Sequence, residues 1–349
     1  MRRCARAVAS VLGCAITGFA CSPSSSLPGG TNGPDAAGVD AAPDARSMPP
    51  LPDPPGDRTL DYVLRIVRVG AEEPAPGSRV AVGLDVDGHV TAREDDPVGC
   101  GHVDFVAPDR YGATPGVDNR LGPLLQQVEN IGATLDADAE IASNIETGTL
   151  LMLVRILHVA DGEALRDDGR VTVRVYLGVM ADGGAPALEP VAHDGETLLS
   201  LRPGQRFDVA PHSVEGNDLE RARYEWSGEI RDGRLRTAPS TLHLEIPIRD
   251  AGTLVLDVRD ARIEADVADE TLTLGVLGGY LVVDEIVDNV RNRLRIPAVE
   301  GITEETLRRS LVEPEADIDL TDRFGCEGLT MGFAVEGVSA TIEGVADAP

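Results

Sequence analysis

From Thr59 onward the chain alternates apolar and polar residues in short runs. Leu60 to Val69 places apolar side chains at a period close to two and stops at Gly70, and Ser78 to Leu84 repeats the pattern, so both are predicted strands. Leu124, Leu125, Val128 and Ile131 then recur at helical spacing, which predicts a helix over Leu121 to Ile131 with Asp118 or Asn119 as its cap. Leu150 to Val159 and Arg170 to Val179 are β-rich runs either side of Asp161-Gly162 and Asp168-Gly169, the pattern of a hairpin with an acidic loop. Further strands are predicted at Gln205 to Ala210, Arg221 to Ile230, Arg234 to Arg236, Thr241 to Ile248, Thr253 to Val258, Ala261 to Val267 and Thr271 to Leu277, with Asp232-Gly233 as a tight turn. Leu281 to Leu294 and Thr303 to Leu311 are predicted helices, and Leu329 to Val335 and Val338 to Ile342 closing strands. Many short strands with few helices between them predict a mainly β fold, an antiparallel β-sandwich or jelly-roll-like body. Residues 59–349 read as one β-rich domain, with a division near residue 190 as the alternative.

The first residues follow a different pattern. Arg2, Arg3 and Arg6 precede an apolar run from Ala7 to Ala20, too short to span a bilayer, which is the layout of a signal peptide over residues 1–20. Cys21, preceded by Ala20 and followed by Ser22-Pro23-Ser24, resembles the lipobox of bacterial lipoproteins, although Gly18 and Phe19 depart from its usual residues. That resemblance implies a lipidated amino-terminal cysteine of the palmitate-bearing type, and Ser22 after it implies outer-membrane sorting. Plain secretion with another cleavage site is the alternative. Residues 21–58 are rich in Pro, Ser, Gly, Ala and Asp without apolar periodicity, which predicts a disordered tether.

The formal net charge of −28 over 349 residues disfavours nucleic acid as a partner and favours cations. The acidity is densest between Gly83 and Asn119, which holds eight Asp or Glu and two of the six histidines. With Gly88 at the sixth position of a calcium loop, Asp85, Asp87, the His89 carbonyl, Thr91 and Glu94 occupy ligand positions 3, 5, 7, 9 and 12. Gly83 stands where the first aspartate belongs, so Asp96, Asp104 and Asp118 are further candidate ligands, in a loop that looks like the free-standing DxDG loops of dockerins. The alternative is a solvated acidic turn, since Asp-Gly is turn chemistry in its own right.

Among five cysteines, Cys100 and Cys326 remain once the signal region and Cys21 are set aside. In an exported chain two such cysteines pair or stay as thiols, and pairing is the commoner outcome. Cys100-Gly101-His102-Val103-Asp104 also reads as soft and hard zinc ligands, but the other histidines have no zinc spacing. No G-x-S-x-G elbow, H-E-x-x-H helix or P-loop occurs. Tyr224 and Trp226 share one face of a predicted strand, as a sugar platform or as core packing.

Together the lipobox-like cysteine, the tether, GLDVDG, Cys100, GVDNRLGPLL and Cys326-Glu327-Gly328 resemble exported lipoproteins of myxobacterial type. That resemblance implies location and a shared loop architecture, and it lends no activity. The expectation is a lipid-anchored envelope protein with a structural or adhesive calcium loop; the rival is an exported hydrolase using a carboxylate acid/base pair.

Overall fold

The computed structural model describes residues 56–69, 79–93, 95, 100–130, 136–160, 165, 167–193, 195–249, 252–294, 302–320 and 326–347. The signal region, Cys21, nearly all of the tether, Glu94 and Asp96 lie outside these residues. Leu51–Pro349 form one compact unit. Its elements run β1 (Arg58–Val69), β2 (Phe105–Val106), β3 (Pro115–Val117), α1 (Leu121–Asn130), α2 (Ala137–Thr147), β4 (Leu151–Val159), β5 (Asp167–Met180), β6 (Leu188–His193), β7 (Glu196–Leu201), β8 (Gln205–Val209), β9 (Val214–Glu215) and β10 (Asp218–Ala222). They continue with β11 (Tyr224–Arg231), β12 (Arg234–Thr237), β13 (Ser240–Ile248), β14 (Gly252–Val267), β15 (Thr271–Val282), α3 (Val283–Asp288), α4 (Glu304–Leu307), β16 (Ile318–Asp319) and β17 (Cys326–Val345).

The fold is mainly β and antiparallel, but the sheet closes on itself. The order β1-β4-β5-β11-β12-β14-β15-β17 returns to β1, with Tyr62 opposite Ser339 and Val69 opposite Phe333, so eight strands form a barrel rather than a sandwich or jelly roll. The physical reason lies in two long, bent strands. β14 pairs with β13 through its first half and with β12 through its second, and the register slips between Arg259 and Arg262 where Asp260 takes φ +48°. β17 pairs with β15 and β1, and its far half runs parallel to β8. Bulges of this kind let one strand turn a corner, which curls a sheet until its edges meet.

The same bulges explain where the sequence pattern misleads. Two predicted strands at 253–258 and 261–267 are one β14, and those at 329–335 and 338–342 are one β17. The predicted strand at Ser78–Leu84 does not join the barrel; its described part makes isolated bridges, Val80 to Val106 and Leu84 to Asp118. The predicted helix at Leu281–Leu294 begins as the end of β15 and becomes helical only at Val283, continuing as a wider turn over Asn289–Arg293. Trp226, 2% exposed, belongs to the core with Tyr62, Tyr176, Phe207 and Phe333, and Tyr224 packs against it, so this pair is packing rather than a sugar platform.

Between β1 and α1 the chain lies across β15 and β17. Val82 packs on Val276 and Ala334, and Leu84 and Tyr111 cover them. Gly332 makes this approach feasible, because a Cβ there would stand 2.4 Å from the Val82 carbonyl oxygen and 2.7 Å from the Gly83 Cα. Both obstacles are backbone, so neither can swing aside. Gly332→Ala is expected to lower stability by about 2 kcal/mol through displacement of this segment; a denaturant midpoint equal to wild type would show that the segment rests on β17 more loosely.

Candidate metal centre

The acidic loop is held before it is organised for chemistry. A guanidinium from the barrel wall, Arg262, donates to the carbonyls of Asp85 and Val86 at 3.2 Å each. Gly88 takes φ +76°, the left-handed turn that the Asp-Gly sequence predicts. Asp85 Oδ1 then accepts from the Gly88 N–H at 2.6 Å and Asp87 Oδ1 from the His89 N–H at 2.7 Å. On the opposite side, the buried Asp118 accepts through Oδ2 from the Val86 N–H at 2.7 Å. Each carboxylate thus spends one oxygen on the backbone and keeps the other.

The three converge. Ligand oxygens of Asp85, Asp87 and Asp118 lie within 4.8 Å of one another. Calcium–oxygen distances are about 2.3 to 2.6 Å, so oxygens this close together form a candidate site for one hard cation. Asp118 was expected as a helix cap or a further ligand. Its side chain is turned to the loop, and the first helical carbonyl to accept is that of Arg120, from the Leu124 N–H. Of the remaining residues in the loop register, His89 is tied through its backbone to Asp87. Thr91 is buried and makes a two-way link with Asp104: its N–H donates to Asp104 Oδ2 at 2.6 Å and its carbonyl accepts from the Asp104 N–H at 3.0 Å.

Beside Asp87 and Asp118 is a small cavity, lined also by His102, Asp104, Asn119, Arg120 and Asp317. Its volume is about 10 Å³, the room of one water or one bare ion. Burial raises the Asp118 carboxyl to about 8, helped by the charges of Asp87, Asp317 and Asp104. Burial likewise raises Asp317 to about 7, against hydrogen bonds from Thr330, and Asp104 to about 6. Asp87 is raised by enclosure and by Asp85 beside it. His102 is pushed down to about 4 by burial and by Arg120, so it is neutral. Arg120 offsets only part of this charge: it lowers Asp104 and Asp317 against the effect of burial, while one arm donates to the Val103 carbonyl at 2.9 Å, the guanidinium lies over Phe105, and the other arm sits 3.9 Å from Glu315. Carboxylates crowded in a poorly solvated place with so little opposing charge attract a cation or hold protons.

Cys100 and Cys326 form a disulfide, with Cα atoms 6.0 Å apart, joining the loop to the start of β17. This removes Cys100 as a thiolate and with it the zinc reading of Cys100 to Asp104. Sequence reasoning missed Asn119. Its Nδ2 donates to the carbonyls of Val82 at 2.8 Å and Gly332 at 3.1 Å, while its Oδ1 has no partner among the described residues. Nothing in the local pattern separates it from a helix cap; its role depends on a glycine more than two hundred residues away.

No protein-family model, curated protein or solved structure matches the chain.

Proposed function

We propose that the protein is an exported, lipid-anchored envelope protein whose barrel carries a loop stapled by calcium, with acylation at Cys21 and no catalytic role. The observation that supports the cation is the convergence of Asp85, Asp87 and Asp118 at one oxygen-lined point. Calcium is the cation proposed because the Asp85-x-Asp87-Gly88 spacing follows a calcium loop and the donors are all oxygen. The anchor is supported by the amino-terminal pattern alone: a basic start, a short apolar run and a cysteine before a Ser- and Pro-rich stretch.

Held this way, the loop is either a clamp that stiffens one face of the barrel or a contact in which a partner's oxygen completes the coordination shell. Adding calcium to the metal-free protein is expected to raise its melting midpoint by several degrees, in line with mass action on a folded-state site, and a chelator is expected to reverse it. An unchanged midpoint at millimolar calcium would remove the metal from this account. Intact mass of the native protein tests the anchor separately, since a diacylglyceryl cysteine adds mass at residue 21.

A hydrolase has one observation in its favour, the raised carboxylates of Asp104, Asp118 and Asp317. The space between them is the size of an ion and smaller than a sugar ring or a peptide bond with its flanking residues, which favours the cation.

A further inference from the structure

We propose that the cation seats in the cavity between the loop and β17, with Asn119 Oδ1 and Asp104 as ligands beside Asp87 and Asp118. This placement rests on the cation reading above and changes its chemistry. In the loop's own register the twelfth position, Glu94, supplies the bidentate carboxylate that dominates affinity. The cavity adds Asp104 and Asn119, which are not ligand positions of the loop register.

Asn119 carries the inference. It is fully buried and lines the cavity. Its two donated hydrogen bonds, to Val82 and Gly332, fix which end of the amide is nitrogen. The oxygen has no partner among the described residues, and a buried carbonyl oxygen without one is costly unless something else meets it. A cation among Asp87, Asp104 and Asp118 does so. Asp104 is braced by its two-way link to Thr91 and uses only Oδ2 there, which leaves Oδ1 for the ion. The donor set is then entirely oxygen, the preference of a hard divalent cation. The soft and nitrogen donors nearby are engaged elsewhere: Cys100 in the disulfide, and His102 on backbone atoms of Pro314 and Ala316. Arg120, the one arginine lining the cavity among the described residues, donates to the Val103 carbonyl and lies over Phe105.

Isothermal titration of the intact, metal-stripped protein with calcium chloride tests the placement. Wild type is expected to bind one calcium. Asn119→Ala and Asp104→Asn are each expected to weaken it by about tenfold or more, while Asn119→Asp, which restores an oxygen, stays within about threefold of wild type or tightens. Unchanged affinity in Asn119→Ala and Asp104→Asn, with wild type still binding calcium, would overturn the cavity placement. Equal weakening by Asn119→Ala and Asn119→Asp would overturn Asn119 as a ligand and make it a structural tie. Wild type that takes up no calcium would overturn the cation reading itself, a result distinct from both. If Asn119→Ala melts below the assay temperature, Asp104→Asn and Asn119→Asp carry the comparison.

Discussion

In a chelator, the melting midpoint of this protein is expected to fall as pH rises from 5 to 8, by about 5 to 10 °C for a domain of this size. Asp118, Asp317 and Asp104 are raised in the folded protein to about 8, 7 and 6, whereas in an unfolded chain a carboxylate titrates near 4. A carboxyl raised by folding is more protonated in the native state. Its contribution is therefore full below the unfolded value and is lost as pH climbs from about 4 through the folded values. Between pH 5 and 8 the native protein must give up protons that the unfolded chain has already lost, and stability drops. Calcium reverses the sign of the local problem, because it supplies positive charge where protons were leaving. In millimolar calcium the same scan is expected to be nearly flat, and Asp118→Asn, which removes the most strongly raised group, is expected to flatten it without calcium. A midpoint in chelator that holds constant from pH 5 to 8 would mean that these carboxylates are better solvated than their positions indicate.

The second large effect belongs to the disulfide. Replacing both cysteines, Cys100→Ser with Cys326→Ser, opens a link spanning 226 residues of sequence. In the chain-entropy account, a closed loop of that size stabilises by about 5 kcal/mol at most, and natural bridges cost 2 to 5 kcal/mol when removed. The structure adds a local reason to expect the upper part of that range. Cys100 and Gly101 both have left-handed backbone, φ +53° and +83°, immediately before His102 and Asp104 reach the cavity. A non-glycine residue in that region is held there by its surroundings. Without the bridge, Cys100→Ser relaxes, and the four residues to Asp104 lose their fixed approach to β17. The double variant is expected to melt about 10 °C lower and to bind calcium at least tenfold more weakly, the second effect distinguishing a positioning bridge from a merely stabilising one. Unchanged calcium affinity in a destabilised variant would assign the bridge to stability alone.

How much of this was legible in the sequence depends on the range over which each feature is determined. The strand at Thr241–Ile248 was read almost to the residue because Leu242, Leu244, Ile246 and Ile248 alternate inward, a pattern set by β13 itself. The closure of the barrel was not legible. It depends on the pairing of 62–69 with 333–339, and neither run differs locally from a strand of a sandwich. α2 has only Ile141 and Ile145 buried in its eleven residues, too thin a stripe to register as amphipathic. The hairpin of β6 and β7 exposes Leu199 and carries Pro190 in its first strand, which weakened its pattern. At the centre, Asp85 and Asp87 were found because a turn and a ligand spacing coincide there. Asp118 was marked among further ligands for its charge, and also mistaken for a cap because it precedes a helix. Asn119 gave no signal, since what makes its oxygen available is the placement of its nitrogen against Val82 and Gly332.

One feature of β17 sets the polarity of the molecule. β1 enters beside its far half, where Tyr62 faces Ser339 and the Ile342 N–H donates to Asp61, whereas the loop and its disulfide meet the strand at Thr330 and Cys326. Nine residues of strand between Thr330 and Ser339 span roughly 30 Å. β1 and the oxygen-lined loop thus meet β17 toward opposite ends of the strand.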